Sequence, residues 1–103
     1  MSVLLEFAMF PMDKGESVSQ YVSKLINMIR ESGVKYQLTP MGTIIETETM
    51  PEALAIVQQS YDVLEPDCDR VYSTMTIDVR KGKSNCLTGK VKSVEKLIGE
   101  VNK

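Results

Sequence analysis

Glu6, Thr43 and Glu46 are the residues whose types and surroundings best suit chemistry in this chain. A carboxylate accepts hydrogen bonds and balances a cation, and a threonine hydroxyl can donate or accept. Each also has a plain structural reading. Glu6 could form a salt bridge with Arg80 or Lys35, threonine suits strands on propensity alone, and Glu46 could be a solvated or paired strand residue. Ile44 and Ile45 are both apolar, so alternation does not assign Glu46 to a face. Met41 and Met75 are among seven methionines, a residue that mostly fills cores but also lines adaptable pockets. The chain contains no histidine, which excludes His-based acid–base catalysis, Ser/His triads and His-ligated metals. Cys68 and Cys86 stand alone without CxxC spacing, so two free thiols are expected rather than a disulfide framework or a zinc site.

The elements that must position these residues follow from periodicity. Val3 to Met9 alternates as a strand, with Val3, Leu5, Phe7 and Met9 on one face and Leu4, Glu6, Ala8 and Phe10 on the other. Ser17 and Gln20 form a capping box for a helix whose stripe is Val18, Val22, Leu25, Ile26 and Ile29, ending at Gly33. Lys35–Thr39 and Thr43–Thr49 read as strands joined by a tight turn at Pro40-Met41-Gly42. A second capping box, Thr49 and Glu52, opens a helix with Leu54, Val57, Tyr61 and Leu64 as its stripe, stopped by Pro66. Arg70 to Lys81 alternates again, Lys81 to Gly89 reads as a loop, and Val91, Val94, Leu97, Ile98 and Val101 form a third amphipathic helix.

The order is β-α-β, β-α-β, α. Right-handed crossovers and a short central hairpin make it a ferredoxin-like α+β fold, an antiparallel sheet in the order 4-1-3-2 with helices on one face and an extra C-terminal helix. With Val3, Leu5, Phe7 and Met9 in the core, Leu4, Glu6, Ala8, Phe10 and Tyr72 fall on the open face. An apolar face of that kind suits an interface or a ligand site better than bulk water. Sheet-on-sheet dimerisation is therefore expected, with Glu6 partly buried inside it.

The 103 residues are expected to form one domain, 1–103, with one modest core. Twelve Lys+Arg against 14 Asp+Glu, a net charge of −2, do not supply the basic face that nucleic acid requires. The apolar N-terminal stretch is interrupted by Glu6 and lacks a basic n-region, and no apolar run approaches the roughly 20 residues of a membrane span. A cytoplasmic protein is the expectation.

Tyr36-Gln37-Leu38-Thr39-Pro40-Met41-Gly42-Thr43-Ile44-Ile45-Glu46 resembles the Y-x-L-x-P-M-G-T-x-I-E signature of the small thiamine-binding protein family. The Glu6-containing strand, the Pro11 to Gly15 turn and Arg70-Val71 leading to Ile77-Asp78-Val79-Arg80 add to the resemblance, which covers nearly the whole chain. It implies a ferredoxin-like fold, sheet-to-sheet dimers that commonly assemble into tetramers, and binding of thiamine or its hydroxymethylpyrimidine portion with no established catalytic mechanism. It also implies a ligand set of Glu6, Tyr36, Thr39, Met41, Thr43, Glu46 and Asp78, near a subunit interface. A carboxylate would take the pyrimidine amino group or balance the thiazolium, the threonines would supply hydroxyls, and Tyr36, Tyr72 or a methionine would cover a ring face.

Other classes on this fold are disfavoured by residues that are missing. The Pro11 to Glu16 loop has neither the arginine of an acylphosphatase nor the CxxC of a copper chaperone. An RNA-recognition surface wants basic charge and aromatics where Glu6 and Glu46 stand, and no phosphate-binding glycine loop is present. No catalysis, cofactor or metal is expected. The competing reading is an oligomeric regulatory or assembly module with a different ligand or none.

Overall fold

The computed structural model describes residues 1–15 and 18–103. Strand β1 runs from Ser2 to Pro11, and its alternation is read out directly: Val3, Leu5, Phe7 and Met9 are buried, and Glu6 is exposed on the opposite face. Helix α1, Ser19–Ser32, lays Leu25 and Ile29 into the core, with Val18, Val22 and Ile26 half-buried beside them. Gly33 ends it in the left-handed region, φ 81°, which costs glycine little. The Ser17–Gln20 capping box includes a residue outside those described.

Strands β2 (Lys35–Thr39) and β3 (Gly42–Thr47) form the hairpin. The Thr39 hydroxyl organises its turn, accepting from the N–H groups of Met41 (3.2 Å) and Gly42 (3.1 Å) and donating to the Gly42 carbonyl (2.9 Å). Gly42 is there for closeness: a Cβ would lie 2.8 Å from the Phe7 carbonyl oxygen. β3 stops two residues short of the expected Thr49, because Thr49 caps the next helix and the Thr47 hydroxyl donates to its carbonyl (2.8 Å).

Helix α2, Met50–Leu64, has the expected cap: Thr49 accepts from the Glu52 N–H, with Pro51 in the first turn. Its buried face is Ala53, Ile56, Ser60 and Leu64, whereas Leu54 and Tyr61 are exposed. The stripe is therefore turned by about one residue from the expected one. Ser60 hides this, since its buried hydroxyl is satisfied by donating to the Ile56 carbonyl (2.7 Å). A short 3₁₀ turn at Glu65–Asp67 leads to β4, Val71–Arg80.

The sheet order β2-β3-β1-β4 is the one expected, and every neighbouring pair is antiparallel. Helices α1 and α2 pack on the Val3–Met9 face. The last helix, α3, Cys86–Ile98, departs from a one-faced arrangement. It packs against β3 and β1 from the other side, because the residue that receives its first N–H groups, Glu46, pairs with Leu4 and Lys35 on the open face. It also starts inside the stretch expected to be loop. Glu46 makes that start possible.

Candidate functional site

β1 pairs with β4 along its whole length, Ser2 to Pro11, but with β3 only from Val3 to Phe7. The ten-residue strand thus outruns its six-residue neighbour, and among the described residues the edge of Ala8–Phe10 facing the hairpin has no strand beside it. A cavity of about 230 Å³ occupies this notch. Its walls are Phe7 to Phe10 of β1, Leu25 and Ile26 of α1, and Leu38 to Thr43 of the hairpin. On the α1 side it adjoins an open groove that shares Val18, Val22, Ile26 and Leu38.

Three of the expected ligand residues come together here: Thr39, Met41 and Thr43. Their situations differ. The Thr39 hydroxyl is consumed by the turn, as described. Met41 is 86% exposed at the tip of the hairpin, a flexible side chain over the cavity mouth. Thr43 is only 5% exposed, yet among the described residues its hydroxyl makes no hydrogen bond. No buried side-chain polar atom is left unpartnered among the described residues, so the Thr43 hydroxyl is within reach of solvent, and Thr43 lines the cavity.

Glu6 lies on the open face two residues along β1 from Ala8, roughly 7 Å away by strand geometry. It pairs with Ile44 on one side and Thr76 on the other. Neither salt bridge weighed for it exists among the described residues: Arg80 sits 3.3 Å from Asp78, and the Lys35 ammonium donates to Asn85 (2.8 Å). Among the described residues the Glu6 carboxylate has no ion-pair or hydrogen-bond partner, and it stands next along the strand from Phe7, the nearest residue of the cavity wall. Phe10 and Tyr72 close that end of the face, ring centroids 5.8 Å apart.

Glu46 is differently placed. It is 8% exposed and accepts from the Ser2 hydroxyl (2.6 Å) and from the N–H groups of Cys86 (2.8 Å) and Leu87 (3.2 Å). A helix N-terminus leaves its first N–H groups unpartnered and favours negative charge. α3 has no side-chain cap of its own, since Asn85 sits in the left-handed region and its side-chain amide oxygen, Oδ1, accepts from Lys35. Burial would push the Glu46 carboxyl up, but these three donors and the nearby Lys35 charge hold it below its ordinary 4.5. Its carboxylate holds α3 in place. Asp78 is exposed on the edge strand beside Leu4 with its Arg80 partner, and Tyr36 lies on the helix side of β2, packed against the core. The structure does not bring Tyr36, Glu46 or Asp78 to the notch.

The walls contributed by Ala8, Phe10, Leu25, Ile26 and Leu38 were not among the expected ligand residues. They read as core or open face, and only the unequal lengths of β1 and β3 turn them into cavity lining. Among the described residues, no group of three or more carboxylates and thiols converges on a metal-sized site, and no helix is long and apolar enough to cross a membrane.

Residues 5–95 match the family model for thiamine-binding proteins. The UPF0045 protein Mb1933 of Mycobacterium bovis is 35% identical over 98 residues, covering 95% of this chain and 96% of that one. The UPF0045 protein MJ1052 of Methanocaldococcus jannaschii is 35% identical over 95 residues, covering 92% and 94%. The crystal structure of MJ1052 superposes with a TM-score of 0.81 at 34% identity, over 93% of this chain and 98% of that one. A Thermotoga maritima protein described as a candidate for thiamine biosynthesis or salvage shares the fold, with a TM-score of 0.78 at 22% identity over 91% of this chain and 99% of that one. With the motif, the sheet order and the matched length in agreement, the chain belongs to the thiamine-binding protein family.

Proposed function

We propose that this protein binds thiamine, or the hydroxymethylpyrimidine portion of it, without converting it chemically. The observation that carries the reading is Thr43: a hydroxyl on a nearly buried residue, without a protein partner among the described residues, lining a largely apolar notch. An aminopyrimidine presents an amino donor and ring-nitrogen acceptors, and a hydroxyl can answer either. Phe7, Leu25, Ile26 and Leu38 supply apolar walls, and Met41 can fold over an occupied mouth. Pockets for drug-sized ligands span roughly 300–1,000 Å³, so a cavity of about 230 Å³ suits one ring better than two. The pyrimidine would sit inside and the thiazolium outside, with its positive charge toward Glu6.

The open face supports a site near a subunit interface. α3 covers its β3 side, so a second sheet could meet only the half formed by β1 and β4, over Glu6, Ala8 and Phe10. Such a contact would roof the notch and partly bury Glu6. Glu46 then contributes indirectly, by fixing the helix that bounds this surface. A cytoplasmic location fits a small-molecule binder of this kind.

The test is calorimetric titration of two variants with thiamine. Thr43→Val and Glu6→Gln are each expected to weaken binding roughly three- to tenfold, the value of one lost hydrogen bond or charge contact, with folding intact by circular dichroism. Unchanged affinity in both would remove the site assignment. The exposed β4 strand favours a second reading, an assembly module with no ligand. Saturable binding separates the two.

A further inference from the structure

We infer that the groove along α1 holds the phosphate of a ligand whose ring sits in the notch, so that the protein takes the phosphate ester of the aminopyrimidine in preference to its free alcohol. This rests on an aminopyrimidine occupying the notch, and it gives that site a second compartment.

The groove lies on the helix side of the sheet. Leu38, Thr43 and Phe7 form a row across β2, β3 and β1 on that face, while Glu6, one residue before Phe7, is turned to the other. Leu38 is 57% exposed and is a wall common to the notch and the groove, so the two spaces adjoin across it. At about 760 Å³ the groove is the larger.

Two parallel stripes build it. Val18, Val22 and Ile26, four residues apart, make an apolar wall. Ser19, Ser23 and Asn27, each one residue later, make a polar rim that Arg30 completes. Arg30 stands four residues, about 6 Å of helix, beyond Ile26. Lys24 adds a second cation. Among the described residues no carboxylate lines the groove, in a chain whose net charge is −2. A cleft of one sign concentrates ions of the other.

The cations are available to a ligand. Arg30 has no ion pair among the described residues. Its Nη2 donates to Asn27 Oδ1 at 2.6 Å, which steadies the guanidinium and leaves further N–H groups to donate. Asn27 donates in turn to Glu31 (3.4 Å), which stands outside the lining. Lys24 lies 4.0 Å from Asp67, but both side chains are more than half exposed and such a pair is weak. A guanidinium fork matches phosphate oxygens two at a time. Charge then sorts what leaves the notch. Thiamine and the phosphate ester carry their substituents on the same methylene carbon of the pyrimidine. A cationic thiazolium is drawn toward Glu6 on the open face, and a phosphate toward Arg30 on the helix side.

Calorimetric titration with hydroxymethylpyrimidine, its phosphate ester and inorganic phosphate tests the assignment. The ester should bind about tenfold tighter than the alcohol, the value of one charge-assisted hydrogen bond, and the gain should shrink in about 1 M salt. Arg30→Gln should erase the gain while leaving the affinity for the alcohol where it was. A cation in the last turn of a helix also favours its dipole, so an Arg30 with that role alone would lower thermal stability and leave the ratio of the two affinities unchanged. Alcohol binding with an ester no tighter, a gain that survives Arg30→Gln, or inorganic phosphate binding as tightly as the ester would each overturn the groove assignment and leave the notch reading standing. No heat with either the alcohol or the ester would overturn both.

Discussion

Glu46 and Thr43 occupy the same strand, and both are buried polar residues, but they differ in what satisfies them. Glu46 has three protein donors, and its removal should be felt in stability. Glu46→Ala is expected to cost about 1.5–3 kcal/mol in urea unfolding, the range for hydrogen bonds to a charged group, and to speed amide exchange at Cys86 and Leu87. The acid limb follows from the sign of its shift. Because the folded carboxyl lies below its ordinary 4.5, its contribution is complete above that pH and is lost as pH falls through the lower folded value. Glu46→Gln should therefore flatten the loss of stability below about pH 4.5. It should not abolish it, since the Asp69 N–H holds the Asp13 carboxyl down and Lys103 holds Glu95 down in the same direction. An unchanged acid limb would contradict the assignment. The Thr43 hydroxyl has no protein partner among the described residues, so Thr43→Val should leave stability within about 0.5 kcal/mol while lowering ligand affinity.

Elements were legible in the sequence wherever their signals are local. The alternation of β1, the Gly33 terminator and the Thr49–Glu52 box each involve neighbours along the chain, and all three are where the pattern put them. α2 was displaced because Ser60, polar by type, is buried and satisfied by its own helix. Ile56→Ala is expected to cost about 2–5 kcal/mol as a core truncation, and Leu54→Ala no more than about 0.5 kcal/mol as an exposed one. Chemical denaturation of the two variants would expose an error in the assigned face if their order were reversed. The start of α3 could not be read locally, because its cap is a side chain forty residues earlier on another element. The turn glycine belongs to this scale as well. Gly42→Ala must push a Cβ toward the Phe7 carbonyl and should destabilise by about 1–3 kcal/mol, as overpacking does.

At the scale of the molecule, the notch is a consequence of topology. β1 is central and long, β3 is short, and the hairpin turns back before it reaches Ala8, leaving a gap that α1 walls off. Of the ligand residues named from the sequence, Thr39, Met41 and Thr43 line that gap because they are contiguous in the hairpin, and Glu6 stands beside it. Tyr36, Glu46 and Asp78 lie elsewhere, since proximity to a motif in sequence fixes neither the face of a strand nor the row of a sheet. The size of the notch turns this geometry into a claim about the ligand: one ring inside, the rest of the molecule outside. Isothermal titration of the unaltered protein with hydroxymethylpyrimidine, thiamine and free thiazole tests that claim most directly. Saturable heat with the first two and none with the thiazole is the predicted result. Binding of the thiazole alone, or no heat with any of the three while the fold is intact, would contradict it.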